Sequence, residues 1–228
     1  LENPQLSSQI SGEISLKGKN FDPAEAEFVF TGDFSGSSFN EWQVSQLLFE
    51  GDYHTGNSLI NINVEEKSGV GEFRARLENL FGTPGYSLTG NIHHFDLQKL
   101  DINELPPTQL NTSFDLKGEG FSFEDMKAEL DLKILPSRFD SIEIDSLYGY
   151  FRIENQVISL DTVFLKFPAG KVSLSGVLEH TAIKNLGYDS SLDSLQYLQG
   201  LVLGDSLGGK ARIIGEIAGP LDSLNNYS

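Results

Sequence analysis

Apolar and polar residues alternate along most of this chain, the two-residue period of a strand with one buried face. Ile10, Gly12, Ile14, Leu16 and Gly18 alternate with Ser11, Glu13, Ser15 and Lys17, and Ala26, Phe28, Phe30, Gly32 and Phe34 with Glu25, Glu27, Thr31 and Asp33. The same period runs through Ile60/Ile62/Val64, Phe73/Ala75/Leu77, Tyr86/Leu88/Gly90/Ile92, Leu110/Phe114/Leu116, Ala128/Leu130/Leu132/Ile134, Val172/Leu174/Gly176/Leu178 and Ala211/Ile213/Gly215/Ile217. The pattern predicts an all-β chain of many amphipathic strands. Turn residues mark the joints at Asp33 to Ser38, Gly56-Asn57, Gly82-Thr83-Pro84-Gly85, Glu154-Asn155 and Pro168-Ala169-Gly170. Short joints favour hairpins and antiparallel pairing. Ile158 and Leu160 hold one phase and Val163, Leu165 and Phe167 the other, which predicts a bulge near Asp161-Thr162. Helical signals are confined to two short stretches. Ser190 or Ser191 could cap a turn carrying Leu192, Leu195 and Leu198 and ending at Gly200, and Phe95 to Leu100 precedes Pro106-Pro107.

The chain nearly repeats itself after one hundred residues. Leu16-Lys17-Gly18 and Phe21 recur as Leu116-Lys117-Gly118 and Phe121, Ser37 and Phe39 as Ser137 and Phe139, and Leu47 as Leu147. Ile213-Ile214-Gly215-Glu216-Ile217 echoes Ile10-Ser11-Gly12-Glu13-Ile14 as if a third copy began there. A fixed period of this kind signals stacked units that bury their apolar faces together. The expected organisation is one continuous domain over residues 1–228, with units at about 10–105 and 106–205 and the start of a third at about 206–228.

Composition narrows the classes of function. With 16 Lys+Arg against 33 Asp+Glu the 228 residues carry a formal charge of -17, which repels nucleic-acid backbones and anionic bilayers. Cysteine is absent, so disulfides, thiolate metal sites and a cysteine nucleophile are excluded. No stretch approaches the ~20 apolar residues of a membrane helix. The carboxylates belong to the outward face, where Glu13, Glu25, Glu27, Asp33, Glu72, Glu129, Asp131 and Glu143 fall, and they keep an extended sheet soluble by self-repulsion.

Signatures of catalysis are missing. His93 and His94 are neighbours, whose side chains point to opposite faces of a strand, and neither His54 nor His180 has a ligand-spaced partner. Asp140-Ser-Ile-Glu143-Ile-Asp145 and Asp189-Ser-Ser-Leu-Asp193 lack the spacing and closing glutamate of a calcium loop. No Gly-rich turn opens a helix that could hold phosphate. No cofactor is expected. The apolar face itself stands out, and a second sheet, a closed barrel or a ligand could cover it.

Phe114-Asp-Leu-Lys-Gly-Glu-Gly-Phe121, Ala128-Glu-Leu-Asp-Leu-Lys, Ser137 to Leu147, Gly149 to Leu160 and Gly170-Lys-Val-Ser-Leu-Ser-Gly176 follow in an order that resembles the repeats of TamB and AsmA-like proteins of the Gram-negative envelope. Gly215-Glu-Ile-Ala-Gly-Pro-Leu-Asp-Ser-Leu224 is similar to their recurring strand-turn. The resemblance implies a long, curved, antiparallel-rich β-groove, taco-like, apolar inside and spanning the periplasm, with only minor short helices. It implies a non-enzymatic role in moving phospholipid between membranes and in outer-membrane assembly beside a barrel partner. The parent would be anchored in the inner membrane, with this chain its mid-section. The groove lining, which would take phospholipid acyl chains, would comprise Ile14, Leu16, Phe28, Phe30, Phe34, Phe73, Leu77, Leu88, Phe114, Leu116, Leu130, Leu132 and Leu174. Self-association through edge strands is a further expectation. Two alternatives stay open: a closed β-sandwich or repeat stalk serving as a structural or adhesive module, and a carbohydrate-active enzyme whose paired carboxylates meet only in space.

Overall fold

The computed structural model describes residues 8–20, 22–39, 42–66, 69–100, 106–140, 142–179, 182–194 and 208–220. Sixteen strands are described: β1 (Ser8–Gln9), β2 (Gly12–Lys19), β3 (Glu27–Phe39), β4 (Trp42–His54), β5 (Asn57–Glu66), β6 (Gly69–Glu78), β7 (Gly85–Phe95), β8 (Thr108–Glu119), β9 (Lys127–Ile134), β10 (Ser137–Phe139), β11 (Ile142–Ile144), β12 (Ser146–Glu154), β13 (Val157–Phe167), β14 (Gly170–Glu179), β15 (Ala182–Leu192) and β16 (Ala211–Pro220). A 3-10 turn, Leu97–Leu100, follows β7.

All the strands join one open sheet, every pair antiparallel and nearly every strand beside its sequence neighbour. β1 and β2 lie along β3, and β9 and β10 together along β8. Substantial contacts between strands are confined to those adjacent in the sheet. The described strands therefore form one open hydrogen-bonded sheet. Correspondingly, no large side chain is fully buried among the described residues, and the buried apolar set is mostly small, as at Ala26, Ala128, Val163 and Ala169.

Registers recur at an offset of one hundred. Gly12↔Phe34 through Lys19↔Glu27 in β2–β3 become Thr112↔Ile134 through Glu119↔Lys127 in β8–β9. Ser8↔Phe39 and Phe39↔Trp42 become Thr108↔Phe139 and Phe139↔Ile142. Local devices recur too. The Ser37 hydroxyl accepts from the Ser11 N–H at 3.2 Å, and the Ser137 hydroxyl accepts from the Asn111 N–H at 2.8 Å. Thr55-Gly56 and Asn155-Gln156 both take left-handed φ at two successive residues, the mark of a two-residue hairpin turn whose twist matches its strands.

Several expectations change. Asp33 to Ser38 is not a turn: these residues continue β3, and Gly36, at φ 62°, lies where β3 bulges against Ser11. Ser190 and Ser191 cap no helix, because both belong to β15, paired with Ile213 and Arg212. Leu195, Leu198 and Gly200 lie outside the described residues, as does Phe21. The bulge is where the phase change placed it: Tyr150 pairs with Thr162 and Phe151 with Leu160, leaving Asp161 as the extra residue.

Candidate functional site: one face of the sheet

Residues opposite each other on antiparallel strands share a face, so the pairing can be followed across the sheet. From Ile14 the row passes through Gly32, Phe49, Ile62, Phe73, Gly90, Phe114, Leu132, Gly149, Val163, Leu174, Tyr188 and Gly215. Thirteen strands are crossed without a charged residue. At strand spacing this is a track of roughly 60 Å. A second row runs from Leu16 and Phe30 through Leu88, Leu116, Leu130 and Phe151 to Ile217. Two flanking rows start at Gly18–Phe28 and at Gly12–Phe34.

All thirteen residues expected to line an apolar groove stand on this face. Ile14, Phe73, Phe114, Leu132 and Leu174 share the first row and Leu16, Phe30, Leu88, Leu116 and Leu130 the second. Phe28 and Leu77 are in the Gly18 row and Phe34 in the Gly12 row. The bulge at Asp161 keeps Leu160, Val163 and Leu165 on one side; without it the second half of β13 would turn its apolar residues to the polar face. Phe49, Tyr53, Phe151 and Tyr188 complete the face. Sequence alternation missed Phe49 and Tyr53 because Leu47-Leu48-Phe49 masks the period of β4.

Glycines in these rows are roofed by aromatic rings. The Phe49 ring fills the space where a Cβ on Gly32 would stand, Phe30 does so at Gly51, Phe114 at Gly90 and Tyr188 at Gly215. Covering a strand glycine with a cross-strand ring recovers packing that the missing side chain gives up. The rings also meet one another: Phe34 and Phe49 stack at 5.8 Å between centroids, and Phe28 and Tyr53 at 4.7 Å.

Polar groups in the four rows are few and mostly turned to the backbone. Ser58 donates to the Asp52 carbonyl at 2.8 Å, Thr112 to the Lys133 carbonyl at 2.9 Å and Tyr53 to the Pro23 carbonyl at 2.6 Å. Burial pushes the Tyr86 phenol above its ordinary pKa, so that hydroxyl stays neutral. The larger apolar side chains are half-buried, and Ile14 and Leu16 on the terminal β2 are 66% and 64% exposed.

The opposite face is ionic. Arg152 lies 3.7 Å from Glu129 and 3.4 Å from Asp161, Lys127 lies 3.6 Å from Glu154, and Arg212 grips Asp189 through two nitrogens at 2.7 and 3.1 Å. The Arg212 guanidinium holds the Asp189 carboxyl below its usual range, and Lys19 does the same to Glu27. Three shallow hollows of about 450, 380 and 280 Å³ open chiefly on this polar side. In the second of them Lys127 and Arg152 are already paired with Glu154 and Glu129, which leaves little unneutralised charge to draw a ligand. Among the described residues no three His, Asp or Glu side chains converge as a metal site would require.

No protein-family model matches this chain, no curated protein matches it, and no solved structure matches it.

Proposed function

We propose that this chain is a non-enzymatic segment of a lipid-carrying protein of the Gram-negative envelope, in which the apolar face forms a groove for phospholipid acyl chains. The observation that carries the proposal is the set of four rows crossing thirteen strands with no charged side chain and, among the described residues, no large side chain fully buried. Each methylene moved from water onto such a surface contributes about 0.8 kcal/mol. The ~60 Å track is also several times the ~15 Å depth of one bilayer leaflet.

The periplasmic setting, the inner-membrane anchor of the parent and the outer-membrane barrel partner rest on the resemblance to TamB and AsmA-like repeats. We also take the chain to be built from units of about 100 residues, which the recurring registers support. Row positions then align the third unit as Ile217-Ala218-Gly219 against Leu16-Lys17-Gly18 and Leu116-Lys117-Gly118. The Ile213/Ile10 echo is displaced from that alignment by two residues.

Native mass spectrometry of the gently purified protein tests the reading. Retained phospholipid masses, lost on delipidation and regained from vesicles, are the expected result. A clean apo mass that vesicles leave unchanged would favour a structural stalk.

A further inference from the structure

Backbone hydrogen bonds lace the loops at one end of the strands into a rim. The Thr55 N–H donates to the Ala26 carbonyl at 3.0 Å, the Leu80 N–H to the Gly56 carbonyl at 3.0 Å and the Gly120 N–H to the Pro84 carbonyl at 2.9 Å. Loop 79–84, between β6 and β7, is thereby tied both to the β4–β5 turn and to loop 120–126, between β8 and β9. Each loop is also braced from within. Asn79, at a left-handed φ of 53°, donates through Nδ2 to the Thr83 carbonyl at 3.1 Å. Gly120 sits at φ 75°, and the Asp125 N–H donates to the Ser122 carbonyl at 3.1 Å.

These braced loops hold phenylalanines out to solvent. Phe81 is 62% exposed, Phe121 59% and Phe123 38%. Phe121 stacks on Tyr86 with ring centroids 5.6 Å apart, and Tyr86 stands in the Gly18 row of the apolar face, between Leu77 and Gly118. The Phe81 ring lies 3.1 Å from where a Cβ on Gly56 would stand. At these two loops the apolar face therefore spills over the rim. The turns Thr55-Gly56 and Asn155-Gln156 at the same end carry no large apolar side chain. An exposed apolar patch edged by polar groups marks a site of interaction. Its edge here is Glu119, Glu124 and Asp125, with no lysine or arginine in residues 79–84 or 119–126.

We propose that this lip is a lateral entry site for phospholipid acyl chains, which cross Phe81, Phe121 and Phe123 to reach the track at Tyr86 and Leu77 without first travelling along it from a neighbouring unit. Entry at the lip rests on the lipid-track reading and adds to it where the lipid comes aboard. Continuity selects an acyl chain as the occupant: through the Phe121–Tyr86 stack the lip joins a face without charged side chains, so a chain passing from lip to track avoids exposing its methylenes to water again. The carboxylates select the headgroup, because they repel an anionic one and leave a zwitterionic one unopposed.

Dequenching of a self-quenched fluorescent phospholipid in phosphatidylcholine vesicles reads the rate of uptake, and native mass spectrometry reads the amount retained. With Phe81→Ser, Phe121→Ser and Phe123→Ser combined, uptake should slow about tenfold or more while the retained amount and the β-rich circular dichroism stay unchanged. Gln156→Ser, on the same rim, should alter neither. Replacing about a fifth of the vesicle lipid with phosphatidylglycerol should slow uptake by the natural protein, and about 0.5 M salt should remove the slowing. Independently of the triple variant's folding, a photoreactive side chain at Phe123 should crosslink lipid earlier after mixing than one at Leu174, six strands further along the track. Uptake at the natural rate by the folded triple variant overturns lateral entry while leaving the track, and so does crosslinking at Leu174 no later than at Phe123. A natural protein that retains no lipid removes the track itself, and the lip with it.

Discussion

Phe73 and Phe114 meet across Gly90, their ring centroids 6.3 Å apart, although their strands are separated by β7. Gly90 pairs with both, and a Cβ placed on it would come within 2.9 Å of the Phe73 ring and 2.5 Å of the Phe114 ring. Gly90→Val should therefore destabilise the sheet by about 1–3 kcal/mol, because both rings must leave their places. Thr89→Val, one residue away on the polar face, should change stability by less than about 0.5 kcal/mol. Urea midpoints of the two variants check the contrast.

Two serine latches at equivalent register differ in how closed they are. Ser137 is buried, accepts the Asn111 N–H at 2.8 Å and donates to the Leu135 carbonyl at 2.8 Å. Its counterpart Ser37 is held at 3.2 and 3.3 Å beside exposed Ser11. Ser137→Ala strands the half-buried Asn111 N–H and should cost about 1 kcal/mol or more, while Ser37→Ala, where water can substitute, should cost less. Equal losses on denaturation would show that burial does not govern these latches.

Gln156 holds φ 65° where the matching turn has Gly56 at φ 82°. A left-handed backbone costs a side-chain-bearing residue about 1 kcal/mol or more, partly offset by the greater freedom glycine has when unfolded. Gln156→Gly is expected to raise the thermal midpoint modestly. A lowered midpoint would mean that the Gln156 side chain makes contacts outweighing its strain.

Much of the fold was legible because a two-residue period carries its own geometry. Leu16-Lys17-Gly18 and Leu116-Lys117-Gly118 announced equal registers, and the slip at Asp161 announced the bulge that keeps β13 facing correctly. What stayed hidden lay where local chemistry imitates something else. The glycines and serines from Asp33 to Ser38 have the composition of a turn, yet they span a bulge inside one long strand. Ser190 and Ser191 resemble helix caps, and only pairing with Arg212 and Ile213 draws them into β15. The roofing of glycines by rings was not legible at all, since Gly32 and Phe49 become neighbours through the register of β3 on β4.

Acid should loosen the far edge of the sheet. Arg212 lowers the pKa of Asp189 in the folded state, so the contribution of this pair is present above the unfolded carboxylate value near 4 and is lost as pH falls through the folded one. Hydrogen-exchange protection at Ile213 to Ile217 should therefore drop in that acid window. With Arg212→Ala, protection there should already be reduced at neutral pH and should lose its Asp189-dependent acid step. Protection in β16 that is unchanged by the substitution would dissociate the ion pair from the edge.

The most direct test of the lipid-groove proposal places a photoreactive side chain at Phe114 and, in a separate protein, at Asp115, whose side chains point to opposite faces of β8. Incubated with phospholipid vesicles and irradiated, the Phe114 protein should crosslink to lipid through its acyl chains and the Asp115 protein should not. Equal crosslinking from both positions, or none from Phe114 in a protein that keeps its β-rich circular dichroism, would contradict the proposal that this apolar face is a lipid track.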